Sequence, residues 1–222
     1  IVSFLLGSIP WGVIVSKLAF HKDIRDEGSG NIGTTNAFRA MGKVGGALVF
    51  VLDFGKGLLS GWLAAFVFAP AIAAVPVDAA TPDGQLFLGI FGNPALNPVG
   101  LALALAFAGC TLGHIFSPWL KFKGGKGIAV AAACLVFVFG PVGFLIEIAV
   151  FALGIAITRC VSVGSIAAAA ICPVLALYFY WGQWVPWAII AATACVVIWA
   201  HRANIARLRA GTENKIGGKK AA

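Results

Sequence analysis

Apolar residues in this chain run in stretches of membrane length rather than in the alternating or one-faced stripes of a soluble domain. A helix crosses the hydrocarbon core in about 20 residues. On that ruler the runs predict seven spans, near 1–19, 44–70, 99–117, 127–140, 142–158, 163–181 and 184–200. The fourth is short, and Gly140-Pro141 is also readable as a kink within one longer helix. Charge decides for two helices: a single crossing over 127–158 would leave Lys126 and Arg159 on opposite sides, whereas two crossings return both to one face. The expected fold is therefore an all-α integral membrane protein, a bundle of seven transmembrane helices forming one membrane domain over 1–222.

Composition agrees with the pattern. Of 222 residues, 60% are apolar and 11% charged, with a mean hydropathy of +0.97, too little polar surface to enclose a water-soluble globule. The net charge of +8 is gathered into blocks, at Lys17–Lys43, Lys56, Lys121–Lys126, Arg159 and Arg202–Lys220, and residues 57–120 hold no Lys or Arg. By the positive-inside rule the basic blocks are cytoplasmic, the N-terminus is outside and the C-terminus inside. The Pro-rich segment 76–98, with Asp78 and Asp83, becomes an external loop, and 213–222 a flexible cytoplasmic tail. Basic residues bounded by membrane-length runs fit membrane lipids and phosphorylated substrates better than nucleic acid. The chain opens on Ile1, so a few residues are expected to precede it. The first run lacks a small-residue cleavage site and carries Trp11 and Lys17, as a retained span does.

Three polar segments at the basic boundaries carry the candidate chemistry. In Gly28-Ser-Gly-Asn-Ile-Gly-Thr-Thr-Asn36, followed by Arg39, glycines free the backbone to aim N–H groups at an anion. Ser29, Asn31, Thr35 and Asn36 add side-chain donors beside Gly30. The segment lacks the Gly-Lys-Ser/Thr ending of a Walker loop, and a polar connector is its plain alternative. In the second segment, Gly124, Gly125 and Gly127 surround Lys126 directly before the fourth span, where a helix N-terminus and an ammonium attract an anion together. Lys121 and Lys123 read as lipid anchors, and His114 stands upstream in the same segment. In the third, His201, Asn204 and Leu208 share a helical face that Arg207 borders.

Asp53 and Lys56, at i, i+3 inside the second span, are either a structural ion pair or substrate ligands. Arg159 and Ser162 close the fifth span as head-group anchors or as the rim of the site. His21-x4-Asp26 matches the general-base pattern of acyl-CoA-dependent acyltransferases, but three histidines and five aspartates make a chance match common. Five scattered cysteines read as core packing. Small residues at four-residue spacing (Gly42/Gly46, Gly57/Gly61, Ala129/Ala133, Ala152/Ala156) report close helix approach. No acidic cluster suits a metal, so neither metal nor cofactor is expected.

Taken in order, Leu6-Gly-Ser-Ile-Pro-Trp-Gly12, Ser29 to Asn36, Asp53-Phe-Gly-Lys-Gly57, Gly113-His-Ile-Phe, Gly124-Gly-Lys-Gly127 and His201 to Leu208 resemble the bacterial membrane glycerol-3-phosphate acyltransferases that use acyl phosphate, the PlsY type. The resemblance covers essentially the whole chain. It implies seven spans with the N-terminus outside the bacterial inner membrane and a site facing the cytoplasm. The implied reaction moves a fatty acyl group from acyl phosphate to the 1-hydroxyl of glycerol 3-phosphate, the first step of phospholipid synthesis. Ser29 and Arg39 match the functional positions of the family's first motif, Lys126 the second, His201 and Asn204 the third; no obligate protein partner is implied. Because an acyl phosphate carries a good leaving group, positioning and charge stabilisation suffice for such a reaction. A small transporter or flippase of phosphorylated or lipid substrates is the alternative, disfavoured because the densest polar sets lie at one face and only Asp53, Lys56 and Glu147 lie deep in spans.

Overall fold

A computed structural model describes residues 1–73 and 98–217, and every regular element among them is helical. The expected external link over 76–98 lies, but for residue 98, outside the described residues, as does the tail beyond 217. The first apolar run is not one continuous helix. It comprises α1 (Val2–Ser8) and α2 (Trp11–Phe20), broken at Ile9-Pro10 because proline has no N–H to continue the ladder. The break leaves the Ile9 carbonyl accepting a bond from Trp11 N at 3.1 Å and a second, at 2.8 Å, from the Lys56 ammonium.

Helix α3 (Thr34–Leu63) is interrupted at Gly42, whose φ of 70° and ψ of −164° lie outside any helical region. The interruption separates a short polar helix bearing Asn36 and Arg39 from the apolar stretch, which begins where the second span was predicted. A π-helical turn (Ala64–Phe68) and α4 (Ala69–Ala73) extend it. Next come α5 (Pro98–Ile115), α6 (Ile128–Val138), α7 (Gly140–Thr158), α8 (Val161–Phe179), α9 (Trp184–Ala200) and α10 (Arg202–Arg209). Gly140, with φ of 66°, divides α6 from α7 into two helices, so Gly140-Pro141 is a boundary and not a kink.

Five helical stretches among the described residues are long and apolar enough to cross a membrane, six if α9 and α10, bent by 53° at His201, form one broken span. With 11 residues, α6 is shorter: at 1.5 Å per residue it reaches about 16 Å, roughly half the hydrocarbon thickness.

Helix α5 is the axis of the bundle, packed by α1, α3, α6 and α9. Its approach to α1 is backbone on backbone: a Cβ on Gly7 would lie 2.0 Å from Cys110 O, and one on Gly113 2.2 Å from Phe4 O. The expected Gly57/Gly61 pair lies at the α3–α6 contact, where a Cβ on Gly57 would meet Val130 O at 2.5 Å, while Gly42 serves the break instead. Phe107, Cys110, Val130 and Cys134 fill the core between α5 and α6, and Cys160 and Cys172 are buried too; Cys195 is exposed. A separate small core of Val13, Ile24, Ile32, Ala37 and Val49 clamps the first polar segment onto α2 and α3.

Gly113→Val forces atoms into the α1–α5 contact, and overpacking of this kind costs about 1–3 kcal/mol. Thermal unfolding in detergent should show a clear drop for Gly113→Val. Gly55→Ala, with no atom within 4 Å of the added carbon, should not lower the midpoint.

Candidate active site

The first segment is shaped by internal bonds. Asp23 accepts from Arg25 N at 3.0 Å and pairs with the Arg25 guanidinium at 2.6 and 2.9 Å, and those bonds hold its carboxyl well below the usual carboxylate range. Gly28 and Gly30 adopt positive φ, 59° and 68°. Asn36 is the hub. Its Nδ2 donates to Ile24 O at 3.1 Å and Glu27 O at 2.9 Å, while its Oδ1 accepts from Ser29 N at 2.9 Å. Asn36, expected as a phosphate ligand, therefore spends its amide holding the loop together. Asn31 Oδ1 likewise turns back to Gly33 N at 2.8 Å. The side chains of Ser29, Thr35 and Arg39 are exposed, and the buried hydroxyl at this helix start belongs to Thr34, whose Oγ1 has no hydrogen-bond partner. His21 ends α2 in a left-handed conformation and makes no hydrogen bond or ion pair with Asp26.

In the second segment, Ser117 Oγ donates to Ser8 O at 2.7 Å and Trp119 Nε1 to Ser8 Oγ at 2.9 Å, tying the turn to the α1–α2 break. The chain then doubles back along the end of α5. Gly124 N donates to Ile115 O at 2.9 Å and Gly125 N to His114 O at 3.0 Å. These two glycines, expected as phosphate donors, instead satisfy the orphan carbonyls of a helix C-terminus. Gly127, with φ of 80°, starts α6, whose first N–H groups have no intrahelical acceptor. Lys126, between them, is half-buried and forms no ion pair among the described residues. Burial, then the Arg207 guanidinium and, more weakly, Arg39, push its pKa down to about 8, with Glu213 pulling the other way.

The third segment turns at His201. Its Nδ1 lies 2.8 Å from Val197 O, and since a carbonyl only accepts, Nδ1 carries the proton and Nε2 of the neutral ring keeps a lone pair. Asn204 Nδ2 donates to Glu213 Oε1 at 2.7 Å, Ser162 Oγ to the same oxygen at 3.0 Å, and Arg207 Nε to Oε2 at 2.8 Å. Glu213, expected to open the flexible tail, is bound here instead, and Ile216 is tied to Arg159 through Ile216 N to Arg159 O at 2.7 Å and Arg159 Nη2 to Ile216 O at 2.7 Å. Burial raises the Glu213 pKa, but the bonds from Asn204, Arg207 and Ser162 outweigh it and hold the carboxyl below its ordinary value. Glu213 is the residue that sequence reasoning misses; its signal is to be the one acid in the basic block after residue 201. Asn204 Oδ1 is buried without a partner.

The three segments converge electrostatically. Arg207 and Arg39 each act on Lys126, and Lys126 and Glu213 act on His201. No hydrogen bond joins Ser29 to the second or third segment. Arg159 and Ser162 serve the Glu213 strap. Lys56 and His114 lie behind the second segment, buried with Asp53: the Lys56 ammonium meets Asp53 Oδ1 at 2.8 Å, Ile9 O at 2.8 Å and His114 Nδ1 at 3.0 Å. A groove of about 390 Å³, lined by Val163, Ile166, Ala167 and Ala170 of α8 and Ile205 and Leu208 of α10, is wholly apolar and shares Val163 and Leu208 with a neighbouring cavity that Glu213 lines.

A helical bundle with several membrane-length apolar helices, a cluster of cations and an apolar groove is the architecture of an integral membrane protein. The chain belongs to the glycerol-3-phosphate acyltransferase family, whose profile matches residues 1–211. It is 37% identical to the glycerol-3-phosphate acyltransferase of Chlorobaculum parvum over 97% of this chain and 94% of that protein. It is 38% identical to that of Salinibacter ruber over 97% and 90%. The crystal structure of PlsY (YgiH), an integral membrane glycerol 3-phosphate acyltransferase, in its glycerol 3-phosphate form superposes with a TM-score of 0.73 at 30% identity, covering 97% of this chain and 92% of that one. Its lysophosphatidic acid form gives 0.69 at 29% identity, with the same coverage.

Removing the Glu213 carboxylate strands three donors. Glu213→Ala should lose more than tenfold in activity and open residues 210–217 to limited proteolysis, with Glu213→Gln intermediate because only the ionic contact to Arg207 is lost. Its depressed pKa sets the sign with pH: the strap holds across neutral pH and is lost only as pH falls below the ordinary carboxylate range.

Proposed function

We propose that this glycerol-3-phosphate acyltransferase takes its acyl group from acyl phosphate and passes it to the 1-hydroxyl of glycerol 3-phosphate, giving lysophosphatidic acid and phosphate. The observation that carries this reading is the juxtaposition of Arg39, Lys126 and Arg207 with the unpartnered Asn204 Oδ1 and the apolar groove. Both substrates bring phosphate to the cations, and the donor's chain follows α8 into the membrane. Ser29, Gly30 and Asn31, with the start of α3 and the Thr34 hydroxyl, form a second anion contact. Asn204 Oδ1 accepts a hydrogen bond from the acceptor's hydroxyl. His201 Nε2, unprotonated in the neutral ring, faces the same role rather than that of a phosphate donor.

An acyl phosphate is a mixed anhydride. The acceptor oxygen attacks its carbonyl carbon, the bond to phosphate breaks, and a phosphate oxygen takes the hydroxyl proton directly or through His201. The cations stabilise charge on the departing phosphate, so no strong base is required. Purified protein should therefore form lysophosphatidic acid from palmitoyl phosphate without added metal and not from palmitoyl-CoA, and His21→Ala should stay active. Turnover of palmitoyl-CoA dependent on His21 would overturn this choice of donor.

Lys126 as a phosphate ligand is tested by charge. A charge-assisted bond is worth about 1.5–3 kcal/mol, so Lys126→Ala should lose at least tenfold in activity while Lys121→Ala loses little. Because the ammonium is the binding form, KM for the phosphorylated substrate should rise as pH climbs through about 8, and Lys126→Arg should flatten that rise.

The charge pattern supports seven crossings of the bacterial inner membrane, with the N-terminus outside and the site facing the cytoplasm. In a background without the native cysteines, Trp181→Cys in the exposed α8–α9 turn should react with an impermeant thiol reagent added to intact cells, and Lys123→Cys should not. Reversed labelling would overturn the orientation.

A further inference from the structure

In the loop that carries Lys126, Gly125 rests against the side chain of His114, and that side chain is held from behind. Its Nδ1 takes the third donor of the Lys56 ammonium at 3.0 Å and lies 3.6 Å from Asp53 Oδ1; all three groups are buried, with relative exposures of 3%, 5% and 1% for His114, Lys56 and Asp53. An ammonium only donates, so Nδ1 accepts and the ring proton sits on Nε2. That nitrogen faces the glycine loop: a Cβ on Gly125 would come within 2.1 Å of it. The backbone of the same residue holds the loop as well, His114 O accepting from Gly125 N at 3.0 Å. A Cβ on Gly124 would lie 2.0 Å from that carbonyl oxygen.

We propose that His114 is a positioning residue for Lys126: the Asp53–Lys56 pair fixes its ring, and the ring is the wall that sets the path of Gly124-Gly125 and hence the place of the Lys126 ammonium at the substrate phosphate. This deepens the reading of Lys126 as a phosphate ligand and rests on it. The two glycines are then required for different reasons. Gly125 must be bare because a pinned side chain faces it, and Gly124 because backbone faces it. In ordinary surroundings an imidazole would swing away from an added methyl; here Lys56 prevents it.

The test is a double-mutant cycle on the full chain in detergent, with palmitoyl phosphate and glycerol 3-phosphate as substrates, reading kcat, both KM values and the unfolding midpoint. His114→Asn keeps an oxygen where Nδ1 stands, so Lys56 retains its third acceptor, but removes the ring from Gly125. It should raise the same KM that Lys126→Ala raises, by about threefold to tenfold, with little change in kcat or midpoint. Gly125→Ala should be severe in the native background and add little to His114→Asn, whereas Gly124→Ala should cost as much in both. His114→Gln, which keeps bulk toward Gly125 and abandons Lys56, should not relieve Gly125→Ala. Equal Gly125→Ala losses in both backgrounds, or a full His114→Asn effect on KM in Lys126→Ala enzyme, would overturn the positioning role while leaving Lys126 a phosphate ligand. A Lys126→Ala enzyme with both KM values unchanged would overturn the underlying reading and this one with it.

Discussion

A lysine ammonium deep in a lipid-embedded bundle needs polar partners, and Lys56 finds them on three elements that sequence separates widely. Asp53 supplies a carboxylate from the preceding turn of α3, Ile9 a carbonyl at the α1–α2 break, and His114 a ring nitrogen at the end of α5. An unpaired charge of this kind in hydrocarbon costs far more than burying one apolar side chain there returns. The pair is weak evidence for stability in itself. Its effect is geometric: α1, α2, α3 and α5 satisfy it only in one relative placement, and the Gly-rich loop is then built on His114. The proline break in the first run thereby acquires a reason, since a continuous helix would have bonded the Ile9 carbonyl within itself.

On the outer side of the loop that His114 backs, cations are gathered instead of dispersed. Arg39, Lys126 and Arg207 come from three separate segments, and burial first, then repulsion from Arg207 and Arg39, lowers the Lys126 pKa. Glu213, bound to Arg207 and Asn204, offsets part of that repulsion, and in the proposed reaction a phosphate-bearing substrate offsets the rest. In that reading, donors with one counter-charge too few form an anion site that the ligand's charge completes. The apolar groove along α8 shares Val163 and Leu208 with the cavity that Glu213 lines, and in the proposed reaction the acyl chain leaves the phosphate there.

Glycines and amides near such a site invite a ligand reading that the backbone here contradicts. Gly124 and Gly125 donate to the end of α5, and Asn36 spends its amide across three backbone groups of its own loop. Their contribution is to leave Ser29, Lys126 and the start of α3 in place with capacity to spare. Glycine at 124 and 125 answers to close approach, as the clashes of an added Cβ show, more than to anion contact.

The sequence by itself determined the membrane character, the helical class, the family and the three polar segments, because hydrophobic run length, charge blocks and glycine clusters are local properties that no packing can hide. It also located His201 and Asn204 on one helical face, since helical period is local too. Only the tertiary structure decided which polar groups are engaged and which are free. Whether Asn36 binds a ligand or its own loop, whether Lys56 meets substrate or the Ile9 carbonyl, and whether Glu213 trails in solvent or straps α8 to α10 depend on partners 9, 47 and 51 positions away. A hydrogen bond is settled by which acceptor lies within about 3 Å, and over such separations the chain's composition carries no record of that distance.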